Sequence, residues 1–353
     1  MLRQCCSAAG YLAMFLMPLL LWAGVVAGLP WLAFGAVVVV FSLLRVLFGA
    51  MRPNAYTWSE WLATFLDKLP LAYVPVYLSS VVGSLSVMAG NASALDWVGF
   101  ALSLWMTGLF ATCVVHELIH RRHPAEAMLG HLLAGMCGYP VLGAEHLAHH
   151  ARPGQVHVAE VPALDESVWS FATRRLLRIA AEFLGRRSQV WAPLHTGATT
   201  KRIRWALGAT AVAAMGFVTI AGWPGGITFA ATALGVAVGV QIITYIQHWG
   251  LGEDSLGSAV SYGRGWEDDC RFQAWITLNI SLHDIHHRES RLPYYRLSLV
   301  PGSPRLPAGY VVLMFTSLVP SIWFRLMRPA LARWRDDPTK HRSAGRRVTC
   351  FVG

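Results

Sequence analysis

Charge is scarce in this chain. Lys, Arg, Asp and Glu make up 14% of 353 residues, while hydrophobic residues reach 55%; a soluble domain carries roughly 25% charged residues. An ordinary water-exposed surface is therefore excluded. None of the six cysteines (Cys5, Cys6, Cys113, Cys137, Cys270 and Cys350) stands in a CxxC pair, which argues against zinc ribbons, rubredoxin-type iron sites and thioredoxin-like motifs. A disulfide framework is not expected, and internal repeats and low-complexity tracts are absent. Acidic residues number 19 against 29 basic ones, leaving a formal charge of +10. That excess alone would suit nucleic acid, anionic lipid or an acidic partner, so its placement has to decide.

Crossing a bilayer core takes about 20 apolar residues. Six stretches approach or reach that length: Tyr11–Gly28, Trp31–Gly49, Pro70–Gly90, Leu95–Val115, Trp205–Gly222 and Gly226–Ile246. The first is long for a signal peptide and lacks a small-residue cleavage site, so it reads as a span. The spans pair into three hairpins joined by Leu29-Pro30, Asn91–Ala94 and Trp223–Gly225, and no joining segment contains Lys or Arg. Basic residues gather at the opposite ends: the N-terminus, the end of span two and the segment after it, Arg121–Arg204, and the region beyond span six. The positive-inside rule then places both termini in the cytoplasm. With the charge confined to one membrane face, nucleic-acid binding loses its main support. The expected architecture is one all-α, polytopic membrane domain with six transmembrane helices. A cytoplasmic histidine-rich cap (116–204 and 247–334) and a basic tail (335–353) complete it. His131–Ala144 is too short to span and reads as an interfacial or re-entrant helix; Gly309–Leu326, interrupted by Pro320, reads as a second dipping helix. Fifteen Trp suit a chain rich in membrane–water interfaces.

Nine of the 14 histidines fall in four compact groups. His116 and His120 continue span four at helical spacing i, i+4, which puts both rings on one face. His146, His149 and His150 follow in the cap, His248 ends span six, and His283, His286 and His287 form the last group. The charge-derived topology puts all four groups at one membrane face without having used a histidine. Nine clustered imidazoles would compete for donors and repel when protonated; metal ions resolve this by taking the ring lone pairs. One ion cannot use nine ligands, whereas two ions with four or five each can. Two irons, unlike redox-inert zinc, can reduce O2. His195 and His341 read as surface residues and His131 as a packed, hydrogen-bonded one.

Here the chain resembles a known group, the membrane-bound alkane monooxygenase and xylene monooxygenase hydroxylases within the fatty acid desaturase/hydroxylase superfamily. HELIHRRH (His116–His123) is similar to the first box of that group, and TYIQHWGL (Thr244–Leu251) to its Asn-Tyr-x-x-His-Tyr-Gly stretch. YYRLSLVPGSPRLPAGY (Tyr294–Tyr310) and LVPSIWFRLM (Leu318–Met327) are similar to the segments after its last box. The resemblance implies six spans, two non-haem irons, O2 as cosubstrate and electrons from an external rubredoxin- or ferredoxin-type partner. Two departures stand out. The second box has two residues, Leu147 and Ala148, between its first histidine and the His-His pair, where the group has three. Counting forward from His120 selects His146 as ligand, and counting back from His149 selects Glu145; His146 is preferred. The group's Thr-Pro-x-Asp beyond that box reads Gln155–Val158 here, without the acidic residue, so its supporting role is expected to fall to His157 or Glu160. Carboxylates and rings beside ligands commonly orient them, so Glu117, His123, Glu145, His157, Asp284 and Glu289 are candidates for that work.

The expected activity is hydroxylation of an unactivated C–H bond, such as a terminal or benzylic methyl, in a small hydrophobic substrate entering from the bilayer through a slot between spans one to four and six. The alternatives are acyl-chain desaturation, epoxidation and non-catalytic metal transport or sensing. Flavin, haem and iron–sulfur motifs are absent, so a separate electron carrier is expected. Arg121, Arg122, Arg174, Arg175, Arg186 and Arg187 form a candidate basic docking face, with ordinary positive-inside charge as the alternative. A bacterial inner membrane is the expected location.

Overall fold

Where long apolar runs face lipid, the backbone has no hydrogen-bond partner but itself, so they coil into helices. The computed structural model describes residues 2–51, 57–90, 92–151, 161–184, 197–252 and 263–337. In it the N-terminal runs form α1 (Gln4–Val26), α2 (Leu32–Phe48), α3 (Glu60–Met88) and α4 (Ala94–Ile119). Shorter helices follow: α5 (Pro124–Met136), α6 (Leu142–Ala151) and α7 (Val168–Phe183). The long α8 (Gly197–His248) precedes α9 (Arg271–Ile276), α10 (His283–Arg288), α11 (Tyr310–Ser317) and α12 (Pro320–Arg335). Among the described residues the extended pairing is limited to isolated bridges, such as Glu267 with Leu282 and Arg305. Helices α1, α3, α4 and α8 are long and apolar enough to cross a membrane, and α2 is a shorter apolar helix.

Several boundaries differ from the sequence expectation for identifiable reasons. Helix α3 begins at Glu60 and contains Pro70 and Pro75, ten residues before the expected start. Glu60, Asp67 and Lys68 interrupt the apolar run, but Leu62, Leu66, Leu69 and Tyr73 keep one buried helical face going. A capping box starts α4: the Ser93 hydroxyl accepts from the Asp96 N–H (3.2 Å), and the Asp96 carboxylate accepts from the Ser93 N–H (2.9 Å). The expected interfacial helix His131–Ala144 is two helices, α5 and α6, with a turn between them. The second dipping run likewise breaks into α11 and α12, with Pro320 opening the latter.

Helix α8 consists of two helical arms joined at a reversal. Gly222 sits at φ 62°, ψ −147°, a region open essentially only to glycine, and Pro224 follows. Phe217 and Phe229 then face each other with ring centroids 5.3 Å apart; twelve residues of straight helix would separate them by about 18 Å. The first arm packs on α5 at Gly135, where a Cβ would stand 2.1 Å from the Ala206 carbonyl oxygen, and the Thr210 hydroxyl donates to the Gly135 carbonyl (2.8 Å). A buried apolar cluster running from Ala8 to Trp334 links α1 through α9 with α11 and α12. Arg45 at the end of α2 pairs with Asp268 and, at 2.7 Å, with Asp269, tying the segment before α9 to the apolar bundle.

Candidate metal centre

Four helix segments deliver histidines to one place. The C-terminal end of α4 carries His116 and His120, α6 carries His146, His149 and His150, α8 ends on His248, and α10 carries His283, His286 and His287. A pair of left-handed residues sets up α10: Leu278 and Asn279 have φ 52° and 57°. The Asn279 side chain pins this turn by donating to the Tyr11 hydroxyl (2.8 Å) and the Tyr294 carbonyl (2.7 Å).

The nine rings sort into two groups. His116, His120, His146, His150 and His286 form one, and His149, His248, His283 and His287 the other; within each, the ligand atoms lie within 4.8 Å of one another. In the first group the Nε2···Nε2 separations are 2.9 Å for His116–His286, His120–His146 and His146–His150, and 2.8 Å for His150–His286. In the second they are 3.0 Å for His149–His248 and His283–His287, 2.9 Å for His248–His283 and 3.3 Å for His149–His287. Donors at right angles around an ion, each about 2.1 Å from it, stand about 3.0 Å apart. The donor set therefore fits two metal ions. Helices α6 and α10 serve both groups. Residues four apart lie nearly over one another on a helix, whereas adjacent residues such as His149 and His150, or His286 and His287, point about 100° apart. Accordingly His146 and His150 join the first group while His149 joins the second; His283 and His287 join the second while His286 joins the first.

Burial drives the rings toward the neutral form a metal needs. It pushes His120 down to about 4. Burial first, and neighbouring rings second, hold His146, His150, His283, His286 and His287 well below the ordinary imidazole range. His248 donates through Nδ1 to the Arg264 carbonyl (2.8 Å), which directs its Nε2 lone pair toward the group. Asp284 in turn accepts from the N–H groups of Gly263 (3.2 Å) and Arg264 (2.9 Å), from Arg288 (2.9 Å) and from the Ser303 hydroxyl.

The geometry separates His146 from Glu145. His146 presents Nε2 to the first group, whereas Glu145 turns the other way into a buried network. Its carboxylate accepts from Arg175 Nε (3.0 Å), from Gln241 Nε2 (3.2 Å) and from the Tyr139 hydroxyl. Glu117 also faces away from the rings, paired with Arg121 at 2.9 Å, and Arg121 reaches Asp67 as well. His123 is an exposed N-cap of α5 and joins neither group. His157, Glu160, His195 and His341 lie outside the described residues. His131 is fully buried as expected of a packed histidine, but neither ring nitrogen has a hydrogen-bond partner. The arginines of the candidate docking face differ in their surroundings. Arg121 and Arg175 are engaged as above, Arg174 pairs with Glu166 at 2.7 Å, and Arg186 and Arg187 are outside the described residues; Arg122 alone of that set is described and exposed. Tyr139, Gln241 and the buried Glu267, which pairs with the half-exposed Arg305, had no sequence signal. None stands in a recognisable spacing, and only the fold brings them to their partners.

A cavity opens onto both groups. Val37, Met106, Leu109, Phe110, Val240, Ile243 and Met314 line it, together with His116, His146, His149, His248 and His283. The expected slot between spans one to four and six is thus corrected: α2, α4 and the second arm of α8 supply lining, with α9 and α11, while no residue of α1 or α3 does.

Comparison with known proteins agrees with this geometry. Residues 92–317, which include all four histidine groups, match the family model described as fatty acid desaturase. The chain is 27% identical to Alkane 1-monooxygenase 1 of Pseudomonas aeruginosa, over 84% of its own length and 82% of the relative's. It is 23% identical to Alkane 1-monooxygenase 2 of Alcanivorax borkumensis, over 93% and 91%. To the xylene/toluene monooxygenase hydroxylase component XylM of Pseudomonas putida it is 26% identical, over 91% and 89%.

Proposed function

The chain belongs to the fatty acid desaturase family, and from that premise we propose that it is a membrane-bound non-haem di-iron monooxygenase that hydroxylates an unactivated C–H bond of a small apolar substrate. The observation that carries this reading is the double histidine group at the wall of an apolar cavity. The relatives named for alkane and xylene oxidation favour hydroxylation, at a terminal or benzylic methyl, over desaturation or epoxidation.

His116, His120, His146, His150 and His286 would hold one iron, and His149, His248, His283 and His287 the other. Bound iron would supply the redox chemistry that turns O2 against a C–H bond. The protein's own part is placement and exclusion of water. Neutral rings offer their lone pairs, the Arg264 carbonyl fixes the His248 ring, and the Glu145–Arg175 pair holds α6 in register. The apolar wall positions the substrate by shape. Electrons would come from a separate rubredoxin- or ferredoxin-type protein. In the topology that goes with this reading, α1 to α4 and the two arms of α8 make six crossings of one domain. The histidines and both termini then face the cytoplasm of a bacterial inner membrane.

The test is metal analysis of the purified chain followed by turnover under 18O2 with a generic reductase pair and alkane, methylarene and acyl substrates. About two irons per chain and an 18O-labelled alcohol are expected. A new double bond without label would make it a desaturase, and labile zinc without O2 uptake would reject the oxygenase reading.

A further inference from the structure

The threonines lining the cavity are self-contained. Each hydroxyl donates to a carbonyl of its own segment: Thr112 to Leu109 (2.6 Å), Thr244 to Val240 (2.9 Å) and Thr277 to Gln273 (2.6 Å). Three other lining residues behave differently. The Gln247 amide nitrogen, the Ser281 hydroxyl and the Tyr310 hydroxyl are buried without a hydrogen-bond partner, in residues only 5%, 0% and 6% exposed. Native structures leave few such groups, and each one calls for a missing partner. The Gln247 amide comes close to the Tyr310 hydroxyl without completing a hydrogen bond. Gln247 directly precedes His248, and Ser281 lies two residues before His283, so these groups sit at the histidine side of the cavity.

All three can donate, and the Gln247 nitrogen can do nothing else. An acceptor oxygen has two lone pairs and would take two of these donors, leaving the Gln247 amide the nearby Tyr310 hydroxyl oxygen to turn to. The one Lys or Arg among the lining residues, Arg175, is ion-paired with Glu145, itself in the lining, so no excess positive charge is available for a carboxylate. We propose that Gln247, Ser281 and Tyr310 form a site for an uncharged oxygen function, the hydroxyl of the alcohol that oxidation of an apolar substrate leaves in the cavity. The inference rests on the reading above in taking the cavity as the substrate site and an alcohol as the product.

The test is equilibrium binding of radiolabelled n-octane, 1-octanol and octanoate to the full, iron-loaded chain in nanodiscs. It is run under argon so that no turnover occurs, and each value is normalised to uptake by protein-free nanodiscs. Octanol is expected to bind at least about tenfold more tightly than octane, its oxygen accepting from two of the unmet donors. Gln247→Met, Ser281→Ala and Tyr310→Phe should each shrink that ratio severalfold, with thermal midpoints reporting whether the variants fold. Equal normalised binding of octane and octanol by the unaltered chain would mean that these groups hold water alone, and would overturn the proposal; that comparison needs no variant. Octanoate binding more tightly than octanol would overturn the uncharged character of the ligand. Because the readout is binding without O2, a failure of C–H oxidation leaves this result standing and is told apart from it.

Discussion

Replacing Arg175 by Met should weaken the fold and the metal centre together. Both members of the Glu145–Arg175 pair have side chains 4% exposed, with Nε and Oε1 3.0 Å apart. Removing one partner of a buried pair typically costs about 3–5 kcal/mol, because the remaining charge is left uncompensated. Here Tyr139 and Gln241 would still donate to the Glu145 carboxylate, which reduces the expected loss to about 2–3 kcal/mol. Glu145 lies on α6 beside His146, so a shift of that helix reaches both histidine groups and iron content should fall below that of the unaltered protein. The double variant Glu145→Met/Arg175→Met buries no charge, and the Gln241 amide can still donate to the Tyr139 hydroxyl (3.1 Å); it should recover more than half of the lost stability. Unfolding by SDS titration in mixed micelles, with iron measured on the same samples, provides the assay. A single variant as stable as the parent within about 0.5 kcal/mol, or a double variant weaker than the single, would refute the argument.

Asp284→Asn should loosen the 263–264 segment that accepts the His248 Nδ1 proton. Iron affinity should drop about 10- to 100-fold by chelator competition, with little change in helix content by circular dichroism. His131, buried and pushed down to about 4 from 6.5, binds its proton more readily unfolded than folded. Its contribution favours folding above pH 6.5 and is lost as pH falls toward 4, by up to about 3 kcal/mol. His131→Met should flatten that slope between pH 7 and pH 4.5 in thermal melts, and an unchanged slope would contradict the assignment. Gly222→Ala forces a side chain into φ 62° and should cost on the order of 1–3 kcal/mol, read as a lower thermal midpoint; an unchanged midpoint would mean that the α8 reversal does not depend on glycine.

Much of the architecture was legible because its causes are local. Apolar run length called for helices, and the i, i+4 spacing of His116 and His120 by itself put two rings on one face. Helix boundaries were harder to read. Run length alone hid the first turns of α3, where charged residues interrupt hydropathy while the buried face continues. The reversal within α8 was expected from Trp223–Gly225, and Gly222 supplies the backbone conformation that makes it. The docking arginines could not be judged from sequence, since whether Arg175 meets solvent or Glu145 depends on where α7 packs.

Composition and spacing by themselves determined that the chain is helical, that its long runs suit a bilayer and that nine of its histidines fall in compact groups spaced as metal ligands would be. They also narrowed the shortened second box to His146 or Glu145. Tertiary structure alone decided which ring belongs to which group, that Glu145 turns to Arg175, and which helices wall the cavity. The reason is physical: a helix fixes the angle between its own side chains, but only its packing against other helices fixes what those side chains meet.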